Sequence, residues 1–148
     1  MVNIKTNIAE VSKELRDKLL TLADKENLPR ILAFDTIDLM TRRIHEEGKS
    51  ANETQIGTYN KSYLKLRERK YNRSSDPKII VSLTRQLEND WSVIATGRGY
   101  GVGFNNSFNA QKARWVEENK GVEIFSLSPS EQNKLSEIVQ ENVINVLK

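Results

Sequence analysis

Apolar residues in this chain recur at spacings of three and four as far as Gly48, alternate between Trp91 and Phe104, and return to helical spacing after Pro129. The first pattern belongs to a helix with one buried face, the second to a strand. The change of period therefore predicts an α+β fold: an N-terminal helical hairpin, a small, mostly antiparallel β-sheet with a β-hairpin, and a C-terminal helix packed on the sheet. A length of 148 residues suits one domain. It divides into a helical hairpin (1–48), a loop with a short basic helix (49–77), and the sheet with its closing helix (78–148).

Local signals set the expected boundaries. A helix from Asn7 to about Asn27 starts on an Asn7/Glu10 capping pattern and lines one face with Ile8, Val11, Leu15, Leu19 and Leu22. Asn27-Leu28-Pro29 breaks it, and a second helix runs from Pro29 to Glu47. That helix buries Ala33, Ile37, Met40 and Ile44, keeps Phe34 at the edge, and stops at Gly48. Lys49 to Tyr59 reads as a long polar loop, Asn60 to Lys70 as a short helix, and Asn72 to Pro77 as a second loop. β-Branched Ile79-Ile80-Val81 predicts a strand, and Thr84 to Asp90 a helical turn. Trp91–Thr96 and Tyr100–Phe104 flank Gly97-Arg98-Gly99 as a hairpin; Gly101 and Gly103 on one face predict a close backbone neighbour or a bend. Ser107 to Asn119 reads as a helix closed by Gly121, and Val122–Phe125 as a short strand. Ser128-Pro129-Ser130-Glu131 is the strongest helix start in the chain, opening a helix striped by Leu135, Ile138, Val139, Val143, Val146 and Leu147.

The chemistry is sparse. No cysteine is present, which excludes disulfides, thiol nucleophiles and thiolate metal sites. No apolar run approaches the length of a membrane helix, and Met1-Val2-Asn3-Ile4-Lys5 lacks the apolar core of a signal peptide. His45-Glu46 begins like a zinc motif but Lys49 stands at the second ligand position, so His45 reads as a surface histidine. Gly97 to Gly103 lacks the residues and spacing of a phosphate loop. Glu118-Asn119-Lys120, with Asp76 or Asp90, resembles half of a metal-dependent nuclease site, but sits at an expected helix end. No catalytic, cofactor-binding or metal-ligating residue is assigned, no cofactor is expected, and the chain is read as a non-enzyme.

The charge is uneven. The whole chain carries +3, yet between Lys61 and Lys78 seven basic residues stand against Glu68 and Asp76 alone, leaving +5. Lys61, Lys65, Arg67, Arg69, Lys70 and Arg73, together with Arg98 in the hairpin turn, are the candidate contacts to a partner or to DNA.

From Gln55 onward the order of motifs resembles a family of small virion proteins of tailed phages, the virion-morphogenesis, head–tail joining and tail-completion proteins. The resemblance is carried by Ile56-Gly57-Thr58-Tyr59 with Tyr63 and Arg67, by Ile80-Val81-Ser82-Leu83-Thr84, and by Gln86-Leu87-Glu88-Asn89-Asp90-Trp91-Ser92-Val93. Val102-Gly103-Phe104 with Lys112-Ala113, and Ile124-Phe125-Ser126-Leu127-Ser128 with Glu131, complete it. The chain departs at Thr84-Arg85, where the family often has Thr-Gly. The resemblance implies a structural subunit, assembled in the host cytoplasm into the virion. It would form a homo-oligomeric ring in the neck through which DNA passes. Implied partners are portal, adaptor or other neck and tail proteins, with non-specific contact to packaged DNA and no membrane. The loop at 49–59 and the hairpin near Arg98 are the expected arms toward neighbours. The alternatives from the residues alone are a metal-dependent nuclease processing phage DNA and a nucleic-acid-binding regulator.

Overall fold

The computed structural model describes residues 7–24 and 28–148. The stretch Met1–Lys5 and the expected helix end at Asn27 fall outside the described residues. The fold is α+β: the helices α1 (Ile8–Ala23), α2 (Leu28–Thr41), α3 (Lys61–Tyr71), α4 (Gln86–Asp90), α5 (Ser107–Lys120) and α6 (Pro129–Leu147) surround one antiparallel pair, β1 (Trp91–Thr96) and β2 (Gly99–Phe104). The N-terminal helices and α6 pack with this sheet, α2 meeting both strands and also α6.

The hairpin pairs Trp91 with Phe104 and Thr96 with Gly99. Two strands alone are marginal in water. Here Trp91 and Phe104, at a centroid distance of 4.7 Å, extend into a cluster with Phe125, 5.7 Å from Trp91. Gly101 has open space where a Cβ would stand, and over Gly103 lies the Ile94 side chain, not another backbone.

Met40, Ile44, Ile56, Ile79 and Ile124 form the buried core, each contributing about 1.5–3 kcal/mol. α2 does not run on to Glu47 as a regular helix. It widens into a π-helical turn, Arg42–Glu46, closed by the Glu47 amide on the Arg42 carbonyl. The wider turn brings three consecutive residues, Arg43, Ile44 and His45, inward. Gly48 then takes φ +68°, and a Cβ there would collide with the Ile79 carbonyl, so the stop needs glycine on two counts.

Two expected strands are corrected. Ile79–Val81 pairs with nothing beyond an isolated bridge at Thr58↔Lys78, and Val81 itself turns left-handed at φ +47°. Its neighbouring carbonyls are taken by side chains instead: Ile80 by His45, Ser82 by Arg67, Leu83 by Arg73. Val122–Phe125 is likewise unpaired as a strand. Glu117 Oε1 accepts from the Ile124 and Phe125 amides at 2.7 and 2.9 Å, and Arg43 donates to the Ile124 and Ser126 carbonyls. In both segments the apolar composition encodes burial, and distant side chains satisfy the backbone.

The 49–59 segment is not an outward arm. Ser50, Ala51 and Ile56 are buried, the Ala51 amide donates to the Glu123 carbonyl, and the Ser50 amide to that of Thr54. The start of α6 is as expected: Ser128 and Glu131 make a reciprocal capping box.

Candidate functional site

The basic cluster is divided by its helix. Asn60 caps α3 by accepting from the Tyr63 amide. Lys61, Lys65, Arg69 and Lys70 then face solvent, as does Arg98 at the hairpin tip. Arg67 points the other way and is 2% exposed. One of its terminal nitrogens donates to the Ser82 carbonyl at 2.7 Å and to the Tyr59 hydroxyl at 3.3 Å. Its guanidinium lies 4.4 Å from the Tyr59 ring centroid and 5.8 Å from that of Tyr63. Burial pushes the Tyr59 phenol above its usual pKa, against the pull of Arg67, so the hydroxyl stays neutral. Arg73, half-buried, holds the Leu83 carbonyl and the Ser82 hydroxyl. Arg67 and Arg73 therefore fasten the 79–83 segment and are not outward contacts.

That fastening shapes a cleft of about 490 Å³ between α3, the 79–87 segment and α5. Its floor is apolar and aromatic: Tyr59, Tyr63, Ile79, Val81, Leu83 and Leu87 on one side, Trp115 and Val116 on the other. Arg85, Lys112 and Lys120 add cations, and none of its described lining residues is an Asp or Glu. Arg85 stands at the N-terminal cap of α4 with φ +60°, the left-handed region that glycine favours. The arginine bears the strain of that turn. Lys112 Nζ donates to Gln86 Oε1 at 2.7 Å and lies over the Phe108 ring. Trp115 is 50% exposed. Arg85, Lys112, Trp115 and Lys120 were not singled out as contacts in the sequence. Lys112, Trp115 and Val116 do share helical spacing, a weak signal for one face of α5.

The remaining candidates separate. His45 is buried, not on the surface: Nδ1 is 3.0 Å from the Ile80 carbonyl and 3.5 Å from Glu88. The carbonyl can only accept, so Nδ1 carries the proton. Desolvation holds its pKa below 6.5, against the raising effects of the carbonyl and Glu88. Glu118 and Lys120 lie exposed at the end of α5. Asp90 accepts from the Asn106 amide and the Asn109 side chain, and Asp76 from the Lys78 amide. Each of these aspartates serves its own turn. Among the described residues no three His, Asp or Glu gather as a metal site, and no helix is long and apolar enough to cross a membrane.

No family model, curated protein or solved structure matches the chain.

Proposed function

We propose that the chain is a non-enzymatic structural subunit of a tailed-phage particle, one copy of a ring in the neck between head and tail through which DNA passes. The ordered motifs from Ile56 to Glu131 support the phage reading. The structural observation that carries assembly is α1. Its apolar edge is largely uncovered: Ile8 is 67% exposed, Val11 52%, Leu15 40% and Leu19 39%, only Leu22 of the stripe is half-buried, and no residue of the helix is fully buried. Glu10, Lys13, Glu14, Asp17 and Thr21, on the opposite face, line with Lys18 and Leu22 a depression shared with Val146 of α6. A helix that leaves its apolar edge wet while its polar face borders a depression is suited to a neighbour. A ring of identical copies supplies one through head-to-tail contacts.

Peptide mass mapping of purified tailed particles whose genome encodes this chain tests the reading. The chain should be present in intact particles, with ring density at the neck by electron microscopy. Its absence from purified particles overturns the proposal.

A further inference from the structure

Resting on the ring reading, we infer that the cleft between α3, the 79–87 segment and α5 receives the C-terminal turns of α6 from the adjacent copy. The apolar floor asks for apolar anchors, and its cationic rim, with Lys120 exposed, Arg85 beside Glu88 and Lys112 on Gln86, favours carboxylates beside them. α6 offers both on its outer face. Glu137, Glu141 and Ile144 follow one another at spacings of four and three and are all exposed, between exposed Lys134 and Lys148 at the two ends of the same face, and exposed Leu147 flanks Ile144. Ile138, Val139, Asn142, Val143 and Val146, around the other side, are half-buried.

The two surfaces are separate on one chain. α6 packs chiefly against α1 and α2, whereas α3 and α5 frame the cleft. Over its 19 residues α6 extends its last turn about 28 Å from the capping box at Ser128. A cleft on one face and a complementary helix end on another make a heterologous contact, the kind that closes into rings. Helix-in-groove binding with apolar anchors and a charged rim is a familiar mode. Stacked bases fit less well, because Arg67 already covers the Tyr59 ring. Arg85 bears backbone strain at the rim of this cleft, as residues held for binding do.

Charge reversal tests the contact in the full-length chain. Lys112→Glu with Lys120→Glu in one protein, or Glu137→Lys with Glu141→Lys in another, should each weaken self-association in sedimentation by about tenfold or more. Mixing the two reversed proteins should restore it, since each then meets a complementary surface. Because the chain has no cysteine, Lys120→Cys and Ile144→Cys proteins provide a second reading that does not need strong association. Mixed under oxidation, they should yield the 120–144 cross-link ahead of either homodimer. Reversals that leave association unchanged, or a mixture giving no 120–144 product, would overturn the contact. So would Trp115 fluorescence that responds to single-stranded oligonucleotide and not to added chain. None of these outcomes bears on whether the chain is found in particles, so failure of the contact and failure of the ring reading stay distinguishable.

Discussion

Arg43 and Glu131, 88 residues apart in sequence, meet at 2.7 Å with both side chains almost fully buried. The same carboxylate closes the α6 capping box by accepting from the Ser128 amide at 2.8 Å. The same guanidinium donates to the carbonyls of Lys49, Ile124 and Ser126. One ion pair thus joins the π-helical turn, the 49–59 segment, the approach to α6 and the start of α6. Glu53, whose carboxylate accepts from the Ser130 amide at 3.0 Å, adds a second anion at that helix start; the Ser130 side chain first, and then this amide, lower its pKa.

Arg43→Met should therefore destabilise the chain by about 3–5 kcal/mol, because it strands a buried carboxylate. The expected fall in Tm is roughly 10 °C for a domain of this size. Adding Glu131→Leu should recover little. The carbonyls that Arg43 served would still lack donors. Denaturant unfolding of the single and double variants checks both statements, and a fully rescued double variant would show that the ion pair, not the carbonyls, is the reason for the arginine.

His45 gives the stability a pH dependence of defined sign. Its folded pKa lies below 6.5 because burial disfavours the imidazolium. The unfolded chain then binds the proton more readily than the folded one. The His45 contribution is complete above about 6.5 and is lost as pH falls from there toward the folded pKa. Unfolding free energy should decline with acidification across that window, and His45→Gln should flatten the slope. Equal slopes in the two proteins would refute it.

Arg85→Gly should raise stability by about 0.5–1 kcal/mol. A left-handed non-glycine residue costs roughly 1–2 kcal/mol, and the Arg85–Glu88 pair at 3.7 Å, exposed on the arginine side, returns about 1 kcal/mol. The same substitution removes one cation from the cleft. Higher Tm with weaker self-association is the expected pair of results, read by thermal melts and sedimentation on one preparation.

The sequence was legible where its signals are local. The capping box at Ser128, the alternation on either side of Gly97-Arg98-Gly99 and the helical spacing of α6 each need only a few neighbouring residues. Ile79–Val81 and Val122–Phe125 were misread as strands for a physical reason. β-Branched and aromatic residues report burial, while the partners of their backbones, Arg43, His45, Arg67, Arg73 and Glu117, lie elsewhere in the chain. The cleft was hidden in the same way, since it joins 59–67, 79–87 and 112–120. One signal was present: Tyr59, Tyr63 and Arg67 share a spacing of four, whereas Lys61, Lys65 and Arg69 share it on the other side of α3. The α1 stripe was read correctly as a pattern, but spacing cannot say whether the covering surface belongs to the same copy.

That question yields a prediction of its own. Ile8 and Val11 are among the more exposed apolar residues of α1 and make no contribution to the buried core. Surface substitutions of this kind usually change stability by no more than about 0.5 kcal/mol, so Ile8→Lys with Val11→Lys should leave the Tm of the isolated chain almost unchanged. In an assembled ring the same side chains would be buried by a neighbour, where each is worth about 1.5–3 kcal/mol and a lysine ammonium adds a desolvation cost. The double variant should therefore fold normally and be depleted from purified particles when it replaces the wild-type chain. Quantitative mass mapping measures this directly. Incorporation at the wild-type level would mean that α1 remains wet in the particle, and the exposed stripe would then need an explanation other than assembly.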